Sequence, residues 1–586
     1  MRRSSYLIFY PGTAAFAVFI SGWIAWLCLS PALSAQTAIN DCQKVWIYLD
    51  TTQLTTADFT PLKITPRCAA RLYQKGAPDE TNFSNAVPGQ HIRTAIEKDC
   101  RRILFYSRAL QAYSAMINPS KTSSLKDLPF VKEVTMVRRY RRMSPPEPAR
   151  SLEKSHSDNP YYGNSYEQLQ RLNIPPVHEA GYTGAGVRIA LIDAGFFKDH
   201  EVFQQIITSD RLIAERDFIY KDNDVQDDQA GSGTSNIQCR HGTSVWSLIG
   251  GFVEDSYIGA AYGAEFLLAK TEIIPSETAV EEDYFVAAVE WADENGADII
   301  SSSVSYRYDF DDPAEDHPYE DLDGRTTAVA RVVNWAFERG ILPVICAGNA
   351  ARLFSDGGLM SPSDALGALT VGAVNLDGQI AGFSSHGPTP DGRIKPDLCA
   401  PGVSIYVASS GSPTSYNTGD GTSYATPLIA GSAALLIEKY STLSPIQIIQ
   451  MLRNNASHSH NPDHRYGWGV PDIYRAMFAQ DSLFIPGRQL ERKRVYALPN
   501  PAISGVTLRF LWPHVIPSEK RVPLTIHNLL GELVWRTELA PQIAGTPESI
   551  QWNLKNLQGQ KVSSGIYIVT IYDRDTIIRG NCLVLH

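Results

Sequence analysis

The stretch Asp420-Gly-Thr-Ser-Tyr-Ala-Thr-Pro427 constrains the fold more than any other part of this chain. A short turn of small residues presents one hydroxyl, that of Ser423, and runs directly into Tyr424–Lys439. Those sixteen positions are mostly Ala, Gly, Ser, Leu and Ile, which predicts a helix apolar on every side and therefore buried. Such a helix needs cover all round, so the surrounding chain must form layers about it. Ser423 at its start has two readings. It can cap the helix, or it can be a nucleophile whose developing negative charge is met by the first-turn N–H groups and the helix dipole. The company it keeps upstream decides between them.

From about Asn159 to Gln480 strand and helix signals alternate, the pattern of a parallel α/β sheet. Gly184-Ala-Gly-Val-Arg-Ile-Ala-Leu-Ile-Asp193 is a glycine turn feeding an apolar strand that ends on a carboxylate. Sites form at the carboxyl ends of such strands. The glycines precede the strand, so they are not a dinucleotide fingerprint. Cys239-Arg-His241-Gly-Thr-Ser-Val-Trp opens a helix of small and apolar residues on a histidine. Ala297-Asp-Ile-Ile-Ser-Ser-Ser-Val-Ser305 is a buried strand running into polar residues, and Ile341-Leu-Pro-Val-Ile-Cys-Ala-Gly-Asn349 is another, ending on an amide. Singly, each of these residues reads as a cap, a turn or a satisfied core group. Together, an Asp, a His, an Asn and a Ser at four element ends are the parts that acyl transfer needs.

Their order, Asp then His then Ser, is that of subtilisin. Gly-Val-Arg-Ile-Ala-Leu-Ile-Asp193, His241-Gly-Thr, Ala-Gly-Asn349 and Gly-Thr-Ser423-Tyr-Ala-Thr-Pro each resemble a subtilisin-family (subtilase) motif. Val371-Gly-Ala-Val374, Phe383-Ser-Ser-His-Gly-Pro388, Lys395-Pro-Asp-Leu-Cys-Ala-Pro-Gly402 and Tyr466-Gly-Trp-Gly469 are similar to its connecting segments. The resemblance spans Tyr161 to Ala479. It implies a subtilisin-like α/β fold, a parallel sheet with flanking helices, and a serine endopeptidase working on protein or peptide substrates. Ser423 would be the nucleophile, His241 the general base and acid, Asp193 its orienting carboxylate, and Asn349 an oxyanion donor beside the Ser423 N–H. Ser303, Val304 and Ser305 would pair with an extended substrate and wall its primary side-chain pocket. The family usually has glycine where this chain has Ser305, so pocket specificity does not carry over. Cys346 and Cys399 fall in buried segments and read as packed thiols. The rival reading is a surface binding or adhesion protein on an inactive subtilisin scaffold.

No cofactor is required for chemistry of this kind. Many subtilases hold structural calcium, and the acidic runs Asp217–Asp228 and Tyr308–Asp323 offer clustered oxygens. Neither has the spacing or the terminal Glu of an EF-hand, so both read as solvated loops and no metal is assigned. A net charge of -10 with no extended basic face gives no reason to expect nucleic-acid binding.

The flanks read as separate units. Met1-Arg-Arg3, an apolar run from Tyr6 to Leu29, and Pro31-Ala-Leu-Ser-Ala35 form a secretory signal over residues 1–35, with an uncleaved anchor as the alternative. Residues 36–148 read as a small α+β pro-region, with a strand at Val45–Leu49, a helix within Asp99–Met116 and a strand ending at Val137. Arg138–Arg142 and Pro145–Pro148 form its exposed end, and two of Cys42, Cys68 and Cys100 could pair after export. The peptidase domain covers 155–480. Residues 490–586 carry short alternating segments separated by turns, a β-sandwich. Pro-Asn-Pro501, Asn528-Leu-Leu-Gly531 and Ser564-Gly-Ile-Tyr-Ile568 resemble C-terminal modules of Bacteroidetes-type outer-membrane secretion, and equally the Ig-like domains of hook-cap proteins. The chain ends Asn-Cys-Leu-Val-Leu-His586, without the basic finish of the sorting modules. The expected partners are thus substrates and a secretion machinery, and the expected place is outside the cell or on its surface.

Overall fold

The computed structural model describes residues 42–62, 64–74, 85–137, 159–226, 238–274, 278–308 and 316–478, with 495–498, 502, 505–511, 521–539, 547–573 and 576–584 in the C-terminal part. The signal segment, the basic run at 138–142 and the prolines at 145–148 lie outside the described residues, as do Asp227 and Asp228 of the first acidic run.

Seven parallel strands form the central sheet. In spatial order they are Leu398–Pro401, Leu369–Val374, Leu342–Cys346, Ile299–Ser302, Arg188–Asp193, Glu265–Lys270 and Leu212–Asp217. Most are buried along their whole length, which explains their near-continuous apolar runs. The chain leaves Arg188–Asp193 toward one edge and later returns to build the other. Asp193 therefore stands at the carboxyl end of the strand where the order reverses. The helix Thr422–Lys439 is buried from Thr422 to Leu436 except at Tyr424, as its composition predicts. It packs with the helix Arg240–Gly250 in one apolar layer under the sheet. The helices Ala279–Glu294 and Ala328–Glu338 form the layer on the other face.

The N-terminal unit is a four-stranded antiparallel sheet in the order Cys100–Ser107, Ala112–Ile117, Gln43–Leu49, Val131–Met136. The helix expected within Asp99–Met116 is instead a hairpin, reversed at Gln111 with φ 51°. The reason is burial on both faces. Ile103, Tyr106, Tyr113, Ala115 and Ile117 face the unit's own core, while Phe105, Leu110 and Ala112 pack against the helices Ala279–Glu294 and Ala328–Glu338. A strand covered on both sides loses its period-two signal and imitates a buried helix segment.

This contact is ionic as well as apolar. Lys44 Nζ meets Asp283 at 2.7 Å, and Ser114 Oγ donates to the same carboxylate at 2.6 Å. Glu290 accepts from Ser107 Oγ at 2.6 Å and Ala109 N at 3.1 Å, with the Arg108 guanidinium 3.4 Å away. A second grip comes from the helix Pro66–Gln74, which reaches the base of the sheet. There Arg67 donates to Gly186 O and Asp298, and Arg71 donates to Ala297 O and Asp293.

The C-terminal region is a β-sandwich. A sheet of Tyr496–Leu498, Val506–Leu511 and Pro547–Trp552 faces one of Leu533–Leu539, Val522–Asn528, Gly565–Asp573 and Thr576–Val584 across a shared core. Seven cysteines are described, all as free thiols, so the pairing expected among Cys42, Cys68 and Cys100 is absent. Cys346 and Cys399 are packed thiols, and burial pushes the Cys346 thiol up to about 11.

Candidate active site

Four predicted residues converge at the carboxyl ends of the central strands. Asp193 is the last residue of its strand and is 1 % exposed. Register with Lys270 and a bond from Thr271 N to its carbonyl, 3.0 Å, fix its backbone. Its carboxylate accepts from Ala194 N at 2.8 Å and faces His241 Nδ1 at 2.8 and 2.9 Å. A carboxylate only accepts, so Nδ1 carries the proton and Nε2 is left as the basic nitrogen.

His241 is the second residue of the helix Arg240–Gly250, which approaches the Asp193 strand closely. Gly242 permits that approach, because a Cβ there would lie 2.2 Å from Gly195 O. The imidazole is half-buried and neighbours the turn that carries Ser423, its ring 6.3 Å from that of Tyr424.

Ser423 is buried in the first turn of Thr422–Lys439. Its Oγ lies 3.5 Å from Ser303 O, and Ser303 Oγ donates to Ser423 O at 3.0 Å. Among the described residues the Ser423 N–H has no acceptor, as first-turn donors commonly lack one. Asn349 is exposed beside it. Its Oδ1 accepts from Thr422 N at 2.9 Å and Thr422 Oγ1 at 3.1 Å, which leaves Nδ2 as the donor not engaged by Thr422. The Asn349 amide N–H and the Ser423 backbone N–H are thus two uncommitted donors at the same turn, groups of the kind that can receive an oxyanion.

Ser303, Val304 and Ser305 follow the strand Ile299–Ser302 and make no backbone–backbone hydrogen bond among the described residues. Pairing resumes at Tyr306, which exchanges both bonds with Ser361. Three residues of open strand edge can therefore accept an extended peptide.

Sequence reasoning missed two neighbours. Glu272 follows the strand beside Asp193 and accepts from Tyr306 Oη at 2.8 Å and Thr271 Oγ1 at 2.6 Å. Burial, with the Asp193 charge adding to it, pushes its carboxyl up to about 7. The signal was available, since Phe266 to Glu272 is another apolar strand running onto a carboxylate. Met360 touches Ser305, Sδ to Oγ 3.5 Å, and nothing in its local sequence marks it.

Asp217 pairs with Lys270 Nζ at 2.7 Å and caps its own loop through Ile219 N and Tyr220 N. Among the described residues no group of three acidic, His or Cys side chains is placed to hold a metal ion.

The sequence profile of the subtilase family matches residues 184–469. Subtilisin E of Bacillus subtilis (strain 168) is 28% identical over 328 residues, covering 56% of this chain and 74% of that protein. Serine protease AprX of the same organism is 28% identical over 328 residues, covering 52% and 67%. Among solved structures, the epidermin leader peptide processing serine protease of Staphylococcus aureus aligns with TM-score 0.52 at 16% identity, covering 77% of this chain and all of that one. That likeness speaks to the fold, which is subtilisin-like. Residues 184–469 thus resemble a domain of the subtilase family, and the chain is a serine-type endopeptidase.

Proposed function

We propose that the chain is an exported endopeptidase that cuts peptide bonds through an acyl-enzyme on Ser423. His241 Nε2 takes the Ser423 proton as Oγ attacks the scissile carbonyl, then returns it to the leaving amine. Asp193 holds the imidazole in the required tautomer and stabilises the imidazolium. Asn349 Nδ2 and the Ser423 N–H receive the oxyanion, and water repeats the sequence to release the acid. Ser303–Ser305 pair with the substrate backbone upstream of the cut. The observation that carries this reading is the Asp193–His241 pair at 2.8 and 2.9 Å beside a serine with an unpartnered N–H.

The N-terminal unit is the pro-region of this enzyme, and residues 1–35 are its export signal. Support comes from the buried ion pairs that join the unit to the peptidase helices and from the strand Val131–Met136, which delivers Val137 to the apolar cluster that Val304 also borders. The β-sandwich serves secretion or surface retention, the role its motifs resemble. Among the described residues no helix is long and apolar enough to cross a membrane.

A fluorophosphonate probe tests the catalytic reading. The secreted wild-type protein should be labelled at Ser423, and His241→Ala should abolish labelling. An unmodified Ser423 after saturating reagent would favour the inactive scaffold.

A further inference from the structure

The primary side-chain pocket has two walls that the nucleophile turn itself holds. Ser303–Ser305 is one, tied to Ser423 through the Ser303 hydroxyl. Ala347–Asn349 is the other, tied through Gly348 N to Thr422 Oγ1 at 3.3 Å and through the Asn349 amide. A substrate residue paired along the open edge at Ser303–Ser305 would send its side chain between these walls.

That space is already occupied. The paired backbones of Tyr306 and Ser361 set Met360 beside Ser305. The thioether bridges the walls, with Sδ 3.5 Å from Ser305 Oγ. On the other side, a Cβ placed on Gly348 would lie 2.8 Å from Met360 Sδ, 2.9 Å from its Cγ and 3.0 Å from Ser385 Oγ. Gly348 has φ +103°, which favours glycine, and the thioether uses the room that the missing side chain leaves. Met360 and Ser305 are both partly exposed, so a substrate side chain can reach them from solvent. Ser305 adds a hydroxymethyl group on the wall where glycine would leave space.

We infer that Met360 and Ser305 together make this peptidase selective for a small residue, Ala, Ser or Gly, on the acyl side of the scissile bond. The inference rests on Ser423 being the nucleophile and names the substrate class of that same site. An aromatic or long aliphatic side chain would have to expel the thioether from contact with both walls. Single-methylene misfits in such pockets are worth about 10–200-fold in kcat/KM, so discrimination against Phe should exceed tenfold.

The test uses the full chain as secreted. Its Ser423 would be titrated with a plain fluorophosphonate, then with two peptidyl phosphonates that differ only in carrying an Ala-like or a Phe-like side chain beside phosphorus. Peptide substrates matched in the same way would give kcat/KM. The Ala-type reagents should react at least ten times faster. Met360→Gly should raise the Phe-to-Ala ratio at least tenfold, and Ser305→Gly should raise it in the same direction. Met360→Ala stands in if the glycine variant is not secreted. Preference of the wild-type protein for Phe would overturn the inference while leaving the catalytic reading intact, and so would active Met360 and Ser305 variants with an unchanged ratio. Failure of Ser423 to react even with the plain reagent would overturn the catalytic reading and this inference with it.

Discussion

Asn349 shows how a single amide acquires a direction. Two bonds from Thr422 occupy its Oδ1, so by elimination Nδ2 is the group left to donate to a substrate. If Asn349 is the proposed oxyanion donor, it is in place before any charge develops, and its benefit falls on the transition state rather than on bound substrate. Asn349→Ala should lower kcat by about 10²–10³ with KM nearly unchanged, the loss known for such a donor in subtilisin itself. Steady-state kinetics on one peptide substrate suffice, and a KM defect with normal kcat would move Asn349 into substrate binding. Asp193, His241 and Ser423 stand out in the sequence because each ends a strand or opens a helix with its own local motif, and Asn349 because it comes three residues after a buried strand. Met360 does not. It reaches Ser305 through a pairing between residues 306 and 361 that no window of sequence contains.

At the scale of elements, the seam between the N-terminal sheet and the helix Ala279–Glu294 concentrates buried charge. Arg108 is 2 % exposed, packs over the Trp335 ring, and serves Glu290 and Glu294. Truncating one partner leaves buried carboxylates without their cation, which costs about 3–5 kcal/mol in comparable pairs. Arg108→Met should therefore lower the denaturant midpoint of the full-length Ser423→Ala protein markedly. Arg93→Ala breaks only the exposed pair with Glu97, 2.8 Å, and should change stability by less than about 0.5 kcal/mol. Equal effects from the two substitutions would mean that the seam is not a stabilising interface. The same seam explains why the sequence misled over Asp99–Met116. The peptidase helices cover the outer face of that hairpin, so alternation vanished and the apolar run counted as helix. Strands of the main sheet were legible despite equal burial, because glycine turns and terminal polar residues bounded them.

The whole molecule holds its N-terminal unit from two directions. The sheet lies over the peptidase helices, and Arg67 and Arg71 of Pro66–Gln74 fasten to the base of the central sheet through Asp298, Asp293 and the carbonyls of Gly186 and Ala297. A cut between Val137 and Asn159 severs the chain but none of these contacts. Exposed linkers are where nicking concentrates, and the sequence predicts one at Arg138–Arg142 with Pro145–Pro148. Self-processing should therefore give two polypeptides that stay together on native size exclusion and separate only in denaturant. Ser423→Ala should remain one uncut chain, because the nucleophile that makes the cut is gone. N-terminal sequencing of the native peak would read two starts in the wild-type protein and one in the variant. Active wild-type protein left uncut between residues 137 and 159 would make the first unit a permanent domain. Cleavage of the Ser423→Ala protein at the same bond would assign the cut to another protease and leave the two-sided grip to be tested by whether the fragments still co-elute.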